Sequence, residues 1–357
     1  MRSAADPARP IRAVMATEFW HGCTGRALAQ GLRDQGWMVA EHDTLGYNPR
    51  ASSFLHRAAN RLLTPFAQAT YNRDLITLCK QVEAEVMVTV KGSYITGATL
   101  TALRDAGVRC VNFYPDFHFD HHGIEVGDFP LYDYFATTKS FQLDALRKML
   151  PADHVALVHH GYAPLVHVAP TVPVAEPMWD VSHIGNPTPY KRDFMVAVAE
   201  AFPDLRIAVI GNRWTDHARG TALERHVVPY PLTGDFFAHA IAQSRINVAM
   251  HFGPRGPNGW YDRVSTRTFE IPAVGGFMLH IDNEEVRGLY TADVECALFS
   301  DAKSLCDQIE RYLADDHARA TIAAAGHARC VPAYSLDARA AELAALLRAR
   351  GIVRDTP

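Results

Sequence analysis

Two carboxylates, Asp262 and Glu270, stand eight residues apart, with Arg263 and Arg267 between them and a Gly275-Gly276 turn just beyond. Two arginines four apart share one face if the segment is helical. Guanidinium forks and helix N–H groups both complement the oxygens of a diphosphate. A carboxylate one turn further can hold a ribose diol by two hydrogen bonds. Pro272 lacks the N–H that a continuing helix needs, so it should kink or end this element.

A second polar cluster runs Tyr114-Pro-Asp116-Phe-His118-Phe-Asp120-His121-His122. Aspartate and histidine at a strand end suit proton transfer or the binding of a hydroxyl-bearing substrate. His118, Asp120, His121 and His122 are also all possible metal ligands. Their spacing matches no known metal motif, and adjacent histidines do not readily point at one ion. A solvated polar loop is the third reading. Other strand-end candidates are Gly22 and Gly25, Lys91-Gly92, Gly211-Asn212 with Trp214, and His251 before the Gly253–Gly259 loop. His159-His160-Gly161-Tyr162 reads as a hinge without chemistry of its own.

These residues need rigid supports. Short apolar runs at 11–16, 38–40, 86–90, 108–114, 134–137 and 154–159 read as strands and alternate with helical stretches such as 99–106 and 140–150. The alternation restarts with strands at 180–184, 206–210, 246–250 and 277–281 and a helix at 191–202. Such alternation specifies parallel βαβ units, whose ligands sit at the carboxyl ends of the strands. Pro164, Pro170, Pro173 and Pro177 mark a linker between the two patterned regions. The expected fold is therefore α/β, with two doubly wound Rossmann-like domains facing across a cleft that a hinge can open and close. The N-terminal domain covers 1–165, the C-terminal domain 166–335, and a final helix 336–357 braces the first domain.

Composition narrows the function. The chain has 357 residues, enough for two cores, with 48% hydrophobic and 21% charged residues, so disorder of the bulk is excluded. The formal charge of −4 disfavours a dedicated nucleic-acid binder. No apolar run is long enough for a membrane span, and Ile11–Ala16 is too short for a secretory signal core, so a cytoplasmic protein is expected. The six cysteines form no Cys-x-x-Cys pair and read as small buried hydrophobes. Neither Gly-x-Gly-x-x-Gly nor the phosphate-loop signature is present. The Ala/Leu/Arg tail at 336–350 reads as a packing helix with its arginines outward.

The stretch Arg267-Thr-Phe-Glu270-Ile-Pro-Ala-Val-Gly-Gly-Phe-Met-Leu resembles the C-terminal signature of the CgeB-like, spore-maturation type glycosyltransferases. These are group 1, family-4-like retaining enzymes of the GT-B fold. Val181-Ser-His-Ile-Gly-Asn with Lys191-Arg192, Ile246-Asn-Val-Ala-Met-His251, Tyr312-Leu-Ala-Asp-Asp with Ala325-Gly326, and Asp133-Tyr-Phe-Ala-Thr-Thr-Lys139 resemble further family elements in order. The resemblance spans Val86–Leu347 and is densest over 180–335.

The resemblance implies a nucleotide-diphosphate sugar donor and an acceptor that is a glycan, small molecule or protein. It implies retention of the anomeric configuration, and no metal or other cofactor is expected. Glu270 matches the carboxylate that holds the donor ribose. Asp262 occupies the position that contacts the donor sugar, where the family carries a longer Glu. Arg192 or Lys191 matches the base facing the diphosphate, with Arg263 and Arg267 alongside. Gly211, Asn212 and Trp214 fall where the nucleobase is held, and His251 lines the donor side. Asp116 and His118, with Gly22, Lys91 and Asp120, fall on the acceptor side. Two other readings keep the fold: a nucleotide-sugar 2-epimerase, and a sugar-binding protein that has lost turnover.

Overall fold

The computed structural model describes residues 9–47, 54–121, 123–172, 174–255 and 259–354; the side chains of 54–61 and of 254–255 are outside the description. The chain divides into two compact units, one formed by Met1–His159 with Leu336–Pro357, the other by His160–Ser335.

In the N-terminal unit, strands β1 (Arg12–Thr17), β2 (Met38–Asp43), β3 (Val86–Val90), β4 (Arg109–Tyr114), β5 (Tyr134–Thr137) and β6 (Val155–Leu157) form one parallel sheet. Helices α1 (Thr24–Asp34), α2 (Phe54–Gln81), α3 (Gly97–Asp105) and α4 (Leu143–Leu146) connect them. The order is β2-β1-β3-β4-β5-β6, so successive connections change direction between β1 and β3. Val86–Val90 is buried at every position, as a strand covered on both faces must be. Tyr71, Leu75, Leu100, Cys110, Phe129 and Phe135 fill one side of the sheet.

The C-terminal unit carries β7 (Trp179–Ile184), α5 (Pro189–Ala201), β8 (Ile207–Ile210), α6 (Trp214–Ala218), β9 (Val227–Val228), α7 (Asp235–Ala242) and β10 (Ser244–Ala249). A short antiparallel pair follows, β11 (Pro254–Arg255) and β12 (Trp260–Tyr261). Then come α8 (Arg267–Ala273), β13 (Met278–Ile281), α9 (Glu284–Leu289), β14 (Ala297–Phe299), α10 (Ala302–Ala314) and α11 (Asp316–Cys330). The sheet order is β14-β13-β10-β7-β8-β9, and β7 and β10 are the neighbours at which the winding reverses. Open parallel sheets bind ligands outside the strand carboxyl ends at such a reversal. Gly185 follows β7 and His251 follows β10, so both lie there.

The last helix, α12 (Leu336–Ala349), belongs to the N-terminal unit and packs on α1. Arg354 beyond it donates to Glu85 at 2.9 Å. All six cysteines are unpaired thiols; burial pushes Cys79 and Cys296 up to about 12, which leaves them inert.

Two expectations about elements need correction, and one helix had not been expected. The 28-residue α2 was not legible, because its apolar residues follow no single helical face and Pro65 interrupts the pattern. The helix expected over 140–150 is a 3₁₀ turn followed by only four α-helical residues. The Pro-rich stretch is not all linker. The Ala163 N–H donates to His167 Nδ1 at 2.9 Å, and that closed turn buries His167 inside the C-terminal unit. Pro173 lies outside the described residues.

Candidate active site

The loop after β7 is the centre of the C-terminal site. A methyl group placed on Gly185 would lie 3.8 Å from Lys191 Nζ, 3.9 Å from Arg267 Nη2 and 3.5 Å from His183 Nε2. Two cations from different elements therefore converge on one point at the reversal of the sheet.

Local structure fixes each of them. Thr188 caps α5 by accepting from the Lys191 N–H at 3.2 Å, with Pro189 in the first turn, where its missing N–H costs nothing. Lys191 is buried, and its ammonium donates to the Asn186 carbonyl at 3.1 Å. Arg267 opens α8, donates through Nε to the Ile184 carbonyl at 2.6 Å, and lies with its guanidinium 4.5 Å from the Phe237 ring centre. Its Nη1 donates to Glu270 Oε2 at 2.5 Å and to Thr266 Oγ1 at 2.7 Å. His167 Nε2 stands 3.8 Å from the other Glu270 oxygen.

His183 lies fully buried on β7, with Nδ1 2.9 Å from the Val248 carbonyl of β10. A carbonyl oxygen only accepts, so Nδ1 carries the proton, and the buried Nε2 lone pair has no hydrogen-bond partner among the described residues. Burial, and then the charges of Lys191 and Arg267, push its pKa down to about 3. It is neutral at physiological pH.

The loop after β8 supports the loop after β7. A Cβ on Gly211 would meet the Gly185 carbonyl oxygen at 2.5 Å, so only glycine allows this approach. Asn212 N–H donates to Asn186 Oδ1 at 3.1 Å. Trp214, expected beside the nucleobase, is instead fully buried in the core, and its indole N–H donates to the Gly185 carbonyl at 2.7 Å. Its ring is too deep to stack on a ligand; it holds the glycine loop in place.

Other expected donor residues sort differently. Arg263 precedes α8 rather than sharing its face with Arg267, and lies 3.9 Å from both Glu284 and Glu285. Arg192 turns to Asp193, donating at 2.6 Å. Neither supplies one of the three atoms nearest a methyl group placed on Gly185. Asp262 is buried and accepts from the Phe252 N–H at 3.4 Å, tying the chain ahead of α8 to the end of β10. His251 is buried too; its Nδ1 accepts from Gly253 N–H at 3.1 Å, and its ring stacks on Tyr190 at 6.0 Å. Pro272 falls one residue before the end of α8, and the Thr268 carbonyl that its missing N–H leaves without a helical donor accepts from Tyr290 Oη at 2.9 Å.

In the N-terminal unit, Lys91 Nζ meets Asp116 Oδ2 at 2.8 Å, and His121 Nε2 lies 3.4 Å from the same oxygen. Lys91 has a φ of 73°, a left-handed conformation that a non-glycine residue adopts only where its surroundings impose it. Buried Gln142 holds the second side of the cluster, donating to the Asp116 and Phe117 carbonyls at 2.8 and 3.0 Å. His118 Nδ1 lies 4.0 Å from Asp120 Oδ1. Among the described residues no group of three or more His, Cys, Asp or Glu side chains is placed to hold a metal ion; His122 lies outside them. Gly22 has a φ of 90°, while the space beside Gly25 is taken up by Thr17, so Gly25 serves helix–strand packing rather than ligand approach.

His183, His167 and Phe237 were not picked out from the sequence. His183 had a usable signal, being two residues before the strand-end glycine and thus on the same side of the strand. His167 was hidden in the Pro-rich stretch.

Residues 191–345 match the family described as Glycosyl transferase-like. No curated protein matches the chain in sequence. Among solved structures, sucrose-phosphate synthase from Thermosynechococcus elongatus is similar at TM-score 0.66 and 14% identity, over 96% of this chain and 99% of that one. Anabaena HepE in complex with UDP-glucose is similar at TM-score 0.63 and 12% identity, over 95% and 100%. A UDP-N-acetylglucosamine 2-epimerase is similar at TM-score 0.55 and 12% identity, over 98% and 99%. The chain has the GT-B fold. Its two six-stranded parallel sheets are the two Rossmann-like domains of that architecture.

Proposed function

We propose that this protein is a glycosyltransferase that uses a nucleotide-diphosphate sugar and is of the CgeB-like type. The observation that carries the reading is the convergence of Lys191 and Arg267 on Gly185 at the reversal of the C-terminal sheet, beside Glu270. The family match over 191–345 supports it.

In this reading the diphosphate occupies the space beside Gly185. Breaking the bond from the sugar to the diphosphate places negative charge on the departing phosphate. Lys191 and Arg267 are already fixed by hydrogen bonds to the Asn186 and Ile184 carbonyls, so they stabilise that charge without reorganising. Two preset cations supply what a divalent ion supplies elsewhere, and we assign a metal-independent, retaining reaction. Glu270 holds the ribose diol and Arg267 keeps its carboxylate in place. Asp262 and His251 sit on the sugar side, and Asn212 beside the base. The Lys91–Asp116–His121 cluster is assigned to the acceptor hydroxyl, with His118 and Asp120 flanking it.

The test is a thermal-shift series with UDP, GDP, TDP and ADP and their sugars. A ligand at about 100 times its Kd stabilises by ~2.7 kcal/mol, which such a scan resolves. Incubating the stabilising donor sugar without acceptor then separates transfer from epimerisation, which needs none. Activity that EDTA abolishes and a divalent ion restores would contradict metal independence.

A further inference from the structure

The reaction assigned above leaves a buried imidazole at the Gly185 loop without a task. His183 is fully buried on β7. Its ring is locked on two sides. Nδ1–H donates to the Val248 carbonyl at 2.9 Å, and the ring meets Trp214 edge-on, with 5.9 Å between centroids. The tautomer is thereby set, and Nε2 is an acceptor. That lone pair is buried and has no hydrogen-bond partner among the described residues. An acceptor buried in this way is costly, so the site calls for a donor.

The surroundings define that donor. Apart from its chain neighbours, the three atoms nearest a methyl group placed on Gly185 are all nitrogens: His183 Nε2 at 3.5 Å, Lys191 Nζ at 3.8 Å and Arg267 Nη2 at 3.9 Å. By lacking a side chain, Gly185 leaves a polar space the size of a methyl group between two cations and a lone pair. Nη2 is the arm of Arg267 that Ile184, Thr266 and Glu270 do not engage. A phosphate oxygen cannot answer His183 directly, because both are acceptors and their lone pairs repel. The imidazole does not become a donor near neutral pH either, since burial and the two cations push its pKa down to about 3. A water molecule satisfies all three nitrogens: it donates to Nε2 and accepts from Lys191 and Arg267. Its second O–H remains for an acceptor at the loop, and a diphosphate oxygen is one.

We propose that the space between Gly185, His183, Lys191 and Arg267 is a buried water site, and that His183 is a positioning residue that aims this water at the donor diphosphate. The water site stands on the geometry of the four residues. The positioning role rests on the phosphate reading of the loop.

Two measurements test it. The wild type is crystallised without nucleotide, at a resolution that shows ordered water. A density peak within hydrogen-bond distance, about 3.2 Å or less, of all three nitrogens is the expected result. UDP, GDP, TDP and ADP are then each compared with their nucleosides by calorimetric titration in the wild type, His183→Asn and His183→Gln. Asparagine keeps an amide donor for the Val248 carbonyl but is too short to place an acceptor at the water. Glutamine has the length to carry an oxygen there. In His183→Asn the preference for diphosphate over nucleoside should fall by about five- to tenfold, the worth of one hydrogen bond, and His183→Gln should recover most of it. A ratio of two affinities within one protein does not follow a general loss of stability. Absence of the peak overturns the proposal. So does an undiminished preference in His183→Asn, or an equal loss in both variants, which would assign His183 to packing alone. If the wild type itself binds every nucleoside as tightly as its diphosphate, the phosphate reading of the loop fails, and the positioning role falls with it.

Discussion

The Glu270 carboxylate accepts from Arg267 Nη1 at 2.5 Å while the Nε of the same guanidinium is held by the Ile184 carbonyl at the end of β7. One side chain thus fixes both the carboxylate assigned to the ribose and the cation assigned to the diphosphate. If Glu270 grips the ribose diol, the wild type should prefer a ribonucleoside diphosphate to its 2′-deoxy analogue by about tenfold, the worth of one charge-assisted hydrogen bond. In Glu270→Ala that preference should vanish. Calorimetric titration of both ligands into both proteins checks it, and an undiminished preference in the variant removes Glu270 from the ribose.

Trp214 separates positioning from base recognition. Trp214→Phe keeps an aromatic ring in the core and removes the N–H that donates to the Gly185 carbonyl. It should cost about 1 kcal/mol of stability and weaken every nucleoside diphosphate by a similar factor. The order of preference among UDP, GDP, TDP and ADP should not change. A changed order would return the indole to the nucleobase pocket.

His183 makes stability depend on pH. An unfolded histidine titrates near 6.5, whereas burial and two neighbouring cations push this one down to about 3. Between those values the unfolded chain binds a proton that the folded chain does not, so stability falls as the pH drops below about 6.5. The contribution is up to about 1.4 kcal/mol per pH unit. His183→Gln keeps an amide donor for the Val248 carbonyl but cannot titrate. Urea unfolding at pH 7 and pH 5 should show a shallower loss in the variant; parallel losses would show that this imidazole is not the source.

The acceptor assignment predicts a split between binding and turnover. Asp116→Asn retains the shape of the side chain but removes the charge that pairs with Lys91 at 2.8 Å. Nucleoside diphosphate affinity should be unchanged and transfer should fall by about 100-fold, within the usual range for a positioned acid–base group. Loss of nucleotide affinity instead would place Asp116 with the donor.

Particular residues show where the sequence was readable. Strands β3, β4, β7 and β10 announce themselves as short apolar runs ending in glycine, histidine or Tyr-Pro-Asp, so the α/β class followed. Arg267 and Glu270 could be singled out from their spacing ahead of the Gly275-Gly276 turn, and Lys191 only as the alternative to Arg192 that the family resemblance implied. Which arginines join them was not legible. Arg263 and Arg192 differ from Arg267 only in where α8 starts and in whether an acid, Asp193 or Glu285, lies within reach. Trp214 was misplaced because a tryptophan after a strand reads equally as a stacking platform or as core. Its burial is decided by packing from residues distant in sequence, such as Val248 and Leu279.

The most direct test compares a nucleoside diphosphate with its nucleoside by calorimetry, in the wild type and in Lys191→Met and Arg267→Met. Methionine keeps most of the apolar stem and loses the cation. The diphosphate should bind the wild type far more tightly than the nucleoside, and each substitution should weaken it by about 10- to 100-fold while leaving nucleoside binding alone. Equal affinity for nucleoside and diphosphate, or full diphosphate affinity in both variants, would contradict a phosphate site at Gly185.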